Sequence, residues 1–227
     1  MFFKMRFKLF LRALAMLIIG VVCISALIFI PAGTLMFTGG LLFSAALFIP
    51  IIIMMFVLTA FSPSLLEKRL SRRESEKPQK LVVGLSALMF ICGFVLSGFD
   101  FRFGWSQLPL WVMIAAAVVM LLSYLMLAEV MRENAYLSRT VEVQEGQKVV
   151  DTGLYGIVRH PMYSATVVMF LMMPLVLGSI AALPVFLIYP ILIVIRILNE
   201  EKVLQAGLDG YAEYTQKVHY RLIPFIW

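Results

Sequence analysis

The chain has 227 residues, 62% of them hydrophobic and 14% charged, and its mean hydropathy is +0.97. A soluble domain needs only roughly half its residues apolar, so this composition excludes that class and reads as an integral membrane protein. The net charge of +6 comes with no soluble domain on which a basic face could form, which argues against nucleic-acid binding.

A membrane-spanning helix needs about 20 predominantly apolar residues. Windows of that kind run from Leu9 to Pro31, Leu35 to Phe61, Leu81 to Phe99 and Pro109 to Met131, giving four expected spans. The first is longer than a signal-peptide apolar region and carries no A-x-A site, so it reads as a retained helix. Cys23 and Cys92 fall inside spans without CxxC spacing and read as small core residues, not as a disulfide or metal pair. Two later apolar segments, Met162 to Gly178 and Pro184 to Leu198, are shorter. Each covers only about 22 to 26 Å at a rise of about 1.5 Å per residue, and together they read as a helical hairpin turning at Ser179 to Leu183. No internal repeat or low-complexity tract interrupts this plan. The expected fold is therefore an all-α integral membrane protein of about six transmembrane or hairpin helices. Residues 1–131 supply four transmembrane helices, and residues 132–227 supply a loop, the hairpin and a tail.

Basic residues set the expected orientation. Lys4, Arg6, Lys8 and Arg12 precede the first span, six Lys or Arg lie from Lys68 to Lys80, and all others except Arg102 follow Met131. Under the positive-inside rule both termini, the 62–80 loop and the polar stretches after Met131 are cytoplasmic. The 62–80 loop reads as a solvated, topology-fixing segment that could also meet anionic headgroups of membrane lipids.

Polar residues concentrate between Glu129 and Arg221, and any chemistry is expected there. Leu137 to Val150 holds the β-branched Thr140, Val141, Val143, Val149 and Val150 around Gly146, a pattern for extended or hairpin-like backbone. Asp151, Thr152 and Gly153 form a turn. Gly153 and Gly156 flank Leu154 and Tyr155, and read either as an ordinary surface turn or as backbone that a ligand approaches closely. The stretch GLYGIVRHPMY, residues 153–163, then places Arg159, His160 and Pro161 at the doorway of an apolar run. Pro161 suits a first helical position, with His160 as its cap or the residue just before it and Tyr163 on the first turn. A helix start favours negatively charged ligand groups, and an imidazole and a phenol beside it add directed donors and acceptors. Interfacial anchoring accounts for Arg159 and Tyr163 equally well, but poorly for His160. Further on, Arg196 lies among Ile and Val, with Glu200 four residues later on the same helical face. An ionisable group inside a span is a functional hypothesis by default, with snorkelling toward the headgroups as the alternative. Glu201 points about 100° away and reads as solvated. The two histidines, His160 and His219, are too few to build a metal centre, and no metal is expected.

Three blocks in order, GLYGIVRHPMY with the apolar hairpin, RILNEEKVL, and GYAEYTQKV with RLIPF, resemble the isoprenylcysteine carboxyl methyltransferase family and its relatives among membrane phospholipid N-methyltransferases. The resemblance covers roughly residues 140–227; the first four spans match only in being hydrophobic. It implies S-adenosylmethionine as methyl donor, with S-adenosylhomocysteine as product, bound in a cytoplasmic pocket made by the C-terminal third. It further implies cofactor contacts at Tyr155, His160, Pro161, Met162, Tyr163 and Glu200, and less directly at Gln144, Gln147, Lys148, Val149 and Val150. Arg196 matches the position proposed to face the acceptor, so Arg196 and Glu200 are the implied catalytic pair. Leu154 departs from the Pro or Val that many relatives carry there. The absence of a glycine-rich strand-to-helix loop excludes a soluble Rossmann-type methyltransferase. An arginine fork suits an anion, which favours a lipophilic or lipid-linked acceptor with a prenylcysteine-like carboxylate; an amine headgroup or a thiol is the alternative. The competing class is a non-enzymatic transporter or lipid-binding protein. Polar residues gathered at one end, not along a midplane path, argue against transport.

Overall fold

The computed structural model describes residues 2–70, 77–137 and 143–227. Arg72 and Arg73 of the basic loop and Thr140 and Val141 of the β-branched stretch lie outside them. Nine α-helices are present among the described residues: α1 (Phe2–Ala32), α2 (Thr38–Phe61), α3 (Pro63–Leu70), α4 (Lys77–Phe103), α5 (Leu110–Glu133), α6 (Pro161–Val176), α7 (Leu183–Phe186), α8 (Ile188–Gly207) and α9 (Tyr211–Lys217). A lipid-exposed backbone must satisfy its own hydrogen bonds, which leaves helices as the form these apolar runs can take. No strand occurs among the described residues.

Five segments are long and apolar enough to cross a membrane: Arg6–Ala32, Thr38–Phe61, Gln79–Phe103, Leu110–Glu133 and Leu183–Gly207. The first four contain the expected windows. The fifth joins α7 to α8 and runs nine residues past Leu198, so the second arm of the expected hairpin is long and apolar enough to cross a membrane. The first arm, α6, has 16 residues and stays short. Its start, Pro161 at the first helical position after His160, is as expected. Two elements were not expected at all: α3, inside the stretch read as loop, and α9 in the tail.

Between apolar helices in lipid, close packing and not the hydrophobic effect drives association, and small residues permit it. At Gly98 of α4, an added Cβ would stand 2.5 Å from the carbonyl oxygen of Ile28, so glycine is what lets α1 and α4 touch. Phe90 of α4 packs edge-on against Phe170 of α6 at 4.8 Å, and Phe170 against Tyr189 of α8 at 4.6 Å. This aromatic seam ties α4, α6 and α8 together, while α6 packs along α5. Large apolar side chains such as Ile18, Leu125 and Ile191 point outward and are exposed, as a lipid-facing belt requires. Cys23 and Cys92 are exposed on that belt, not small core residues. A helix that is apolar all round gives no sign in its sequence of which face looks inward.

The two ends of the helices differ. At one end, Asp100 of α4 is buried and accepts hydrogen bonds from the Ser106 amide (2.6 Å), the Ser106 hydroxyl (2.7 Å) and the Ser179 hydroxyl. The Ser106 hydroxyl in turn accepts from the Ile180 amide at 3.0 Å, joining the α4–α5 connection to the α6–α7 turn. At the other end lie Arg12, which donates to the Leu70 carbonyl at 3.4 Å, Lys68, which donates to the Ala135 carbonyl at 3.2 Å, and the residues of the candidate site.

Candidate functional site

The C-terminal tail is laid across the start of α6. The amides of Arg159 and His160 donate to the carbonyls of Tyr220 and Arg221, both at 2.9 Å, and the Ser164 hydroxyl donates to the Leu222 carbonyl at 2.6 Å. This backbone pairing brings Arg221 to α8, where it meets Glu201. Arg221 Nε is 2.8 Å from Glu201 Oε2, Arg159 Nε is 2.9 Å from Glu201 Oε1, and His160 Nε2 is 3.5 Å from the same oxygen. Glu201 is therefore a buried hub at 4% exposure, not the solvated residue expected from its position on the helix.

The preceding residue of α8, Glu200, faces α6. It accepts a hydrogen bond from the Tyr163 hydroxyl at 2.5 Å, and that hydroxyl accepts one from Arg196 Nε at 2.7 Å. Arg196 and Glu200, four residues apart, are thus bridged through Tyr163. The carbonyl of Arg196 also accepts from the Gln79 amide side chain at 3.2 Å, which anchors α4 to α8 beside this chain of donors.

Beside Glu200 a pocket opens between α5, the 143–150 loop, the start of α6, α8 and α9. Of the residues singled out in the sequence, Gln147, Lys148, Val149, Val150, Tyr155, His160, Met162, Tyr163 and Glu200 line it. Gln144, Pro161 and Arg196 do not. Gln144 shapes the loop instead: its amide donates to Gln147 Oε1 at 2.9 Å and its side chain donates to the Tyr136 carbonyl. Pro161 is fully buried behind the helix start. Arg196 is buried on the far side of Tyr163. The loop makes a tight turn at 144–147, with Gly146 at φ +69°, inside the stretch read as extended or hairpin-like, of which residues 138–142 lie outside the described residues.

Sequence reasoning missed Asn134, Tyr211 and Tyr214, all lining the pocket. Asn134 donates to the Tyr155 hydroxyl at 3.0 Å, and the Tyr214 hydroxyl donates to the Tyr155 carbonyl at 2.7 Å. The Tyr211 hydroxyl is buried and has no hydrogen-bond partner among the described residues, in the wall of the pocket. The signal was present: two tyrosines three residues apart in GYAEYTQKV share a helix face. Burial pushes the Tyr155 hydroxyl up to about 12, moderated by the Asn134 hydrogen bond, and burial with the nearby Glu201 and Glu200 charges raises Tyr211 well above the usual phenol range. All these phenols are neutral donors at physiological pH.

Gly153 opens the 3₁₀ turn Gly153–Gly156 at φ +52°, and a Cβ there would stand 1.4 Å from Glu133 Oε1. Glu133 uses that space to accept from the Leu154 amide at 3.0 Å, which fixes the turn that presents Tyr155. Among the described residues no group of three or more His, Cys, Asp or Glu is gathered as a metal site, and His219 lies exposed.

Five helices long and apolar enough to cross a membrane define a multi-pass membrane protein, with a polar, phenol-rich pocket at one end of the bundle. Residues 111–206 match the model of the isoprenylcysteine carboxyl methyltransferase (ICMT) family, which bears out the resemblance carried by the sequence blocks. The match begins in α5, earlier than the resemblance reached, and ends before GYAEYTQKV. The chain is also similar to Delta(14)-sterol reductase TM7SF2 of Mus musculus, 33% identical over 91 residues. That similarity covers 39% of this chain and only 22% of the relative.

Proposed function

We propose that the chain is an S-adenosylmethionine-dependent membrane methyltransferase whose 132–227 region binds the methyl donor from the cytoplasmic side, next to a lipophilic acceptor. The observation that carries this reading is the pocket wall in which the Glu200 carboxylate, the His160 ring and the unpartnered Tyr211 hydroxyl converge. These residues fit the donor's chemistry. A carboxylate and phenol faces suit a cationic sulfonium and an ammonium, and Tyr155, Tyr211 and Gln147 offer hydrogen bonds to ribose and adenine. When bound, the donor supplies an activated methyl group for direct displacement.

The protein's own part is alignment and exclusion of water, which need no covalent enzyme intermediate. Tyr163 holds Glu200 at one orientation and is itself held by Arg196, so the carboxylate keeps its place relative to Met162 and His160. The acceptor we favour is a prenylcysteine-like carboxylate, already ionised at neutral pH and needing no base. For an amine or thiol acceptor, Glu200 is the group placed to take the proton.

The test is calorimetric titration of the purified chain with S-adenosylmethionine and, separately, with a reduced nicotinamide dinucleotide. Transfer of labelled methyl from S-adenosylmethionine to a membrane lipid extract then identifies the product. Saturable S-adenosylmethionine binding is expected. Nicotinamide binding in its place would move the chain to the chemistry named in its reductase relative. Sidedness is read with a cysteine placed at Gln147, which should react only from the cytoplasmic face.

A further inference from the structure

The tail does not stop at the helix start it crosses. After pairing with Arg159 and His160 it meets the first turn of α6, where the Ser164 hydroxyl donates to the Leu222 carbonyl. There the chain closes on itself: the Leu222 and Ile223 amides donate to the Trp227 carbonyl at 2.8 and 3.1 Å, and the Trp227 amide donates to the Ile223 carbonyl at 3.1 Å. Leu222 is buried and Trp227 packs against the core, so this turn is fixed to the bundle. Its outer side is apolar and bare. Phe225 is 86% exposed and Ile226 76%, and Ile223 is exposed beside them. Phe225 also holds φ +64°, left-handed backbone that a bulky residue rarely adopts and that persists only where the surroundings impose it. A strained backbone thus displays an aromatic ring outward.

We propose that residues 222–227 are an anchor that sits in the headgroup region of the bilayer at the site end and so holds Arg221 against Glu201. Three observations point to lipid as the partner. The apolar helix α6 packs along α5, a candidate span, so its first turn stands where the bundle enters the bilayer. Val168, one turn deeper than Ser164 on the same face, is exposed, which makes the bare side of the turn continuous with the lipid-facing belt. The Arg221 guanidinium lies 5.3 Å from the Trp227 ring, and Tyr220 packs on Phe225 at 5.4 Å; aromatic and basic side chains together are the chemistry of the membrane interface. The anchor bears on the pocket beside Glu200, because the strap it secures carries Arg221 to Glu201 and pairs with the His160 backbone. None of this depends on which ligand the pocket takes.

The test places one spin label at a time on the full chain in nanodiscs containing an anionic phospholipid, with Cys23 and Cys92 replaced by Ala. Collision with oxygen, which concentrates in the bilayer, is compared with collision with a nickel chelate, which stays in water. Labels at Phe225→Cys and Ile226→Cys should be reached by oxygen and shielded from the chelate, like one at Ile191→Cys on the belt, whereas His219→Cys should read as water. Chelate access at 225 and 226 equal to that at 219 overturns the proposal and leaves this face to a protein partner. A second measurement needs no label. Both side chains are exposed, so Phe225→Ser with Ile226→Ser leaves the packed bundle intact. Amide exchange at Arg159 and His160 in nanodiscs should then quicken at least about tenfold, and Phe225→Leu with Ile226→Val should keep the wild-type rate. Wild-type exchange in the serine pair likewise overturns the anchor.

Discussion

Replacing Glu201 with Gln removes the negative charge that pairs with both Arg159 and Arg221 while keeping the side-chain shape; His160, which also faces Glu200, keeps that second carboxylate. The Arg159 and Glu201 side chains are 6% and 5% exposed, so Arg159 would be left as a buried cation opposite a neutral amide. Arg221 is 32% exposed and recovers part of its hydration, so its share is discounted. Breaking a buried pair from one side costs about 3–5 kcal/mol, and the lower figure applies because the amide oxygen still accepts one hydrogen bond. For a chain of this size each kcal/mol shifts Tm by about 2–4 °C, so the variant should melt about 6–12 °C lower. The assay is thermal unfolding of detergent-solubilised protein, with Glu201→Gln, Arg159→Met and the double variant compared. Removing the stranded cation should restore much of the loss, giving a favourable coupling in the cycle. A drop below about 2 °C, or a double variant as unstable as the sum of the single ones, would refute the hub.

Four other substitutions separate the parts of the site and of the loop beside it. Glu200→Gln should weaken S-adenosylmethionine binding at least tenfold, since truncating a buried charge contact costs about 2–5 kcal/mol, whereas Arg196→Lys should keep donor binding and lower turnover by loosening Tyr163; equal stability losses with normal kinetics would assign both to structure alone. Gly153→Ala combines left-handed backbone, about 1–2 kcal/mol, with displacement of Glu133, and should abolish donor binding; wild-type affinity would show that the 153–156 turn does not present Tyr155. The Lys217 ammonium, 2.6 Å away, holds the Asp151 carboxyl below the usual aspartate range. A lowered folded pKa means the stabilisation is present at neutral pH, above the unfolded value, and is lost as pH falls through the folded one. Protection against amide exchange at residues 147–151, relative to the intrinsic rate at each pH, should therefore fall in acid in the wild type, and show no such step in Asp151→Asn.

The spans were legible because about 20 apolar residues in a row leave few choices, and the helix start at Pro161 was legible because proline fixes its own geometry. The length of α8 was not. The apolar run stops at Leu198, yet Glu200 and Glu201 find partners in Tyr163, Arg159 and Arg221 and the helix continues to Gly207. Those partners lie 37, 42 and 20 positions away in the chain, beyond any local pattern. The same distance hid Glu201: helical spacing gave its direction correctly but could not say that the tail would cover that face. Tyr163, Glu200 and His160 were found from residue type and position.

The buried carboxyl at the far end bears on how the chain is assembled. Asp100 sits at the tip of α4 with only Ser106, six residues on, to satisfy it at first; Ser179 lies 79 residues further along the chain and is inserted later. Until the α6–α7 turn arrives, that end of the bundle carries a polar group with one of its partners missing, which costs free energy in an apolar surround. Insertion of the last helical pair therefore closes the far end and delivers the arginine and glutamate residues of the near end in the same step. A chain stalled after five helices would hold an incomplete seal at Asp100, a feature by which quality control in the membrane could tell unfinished protein from finished.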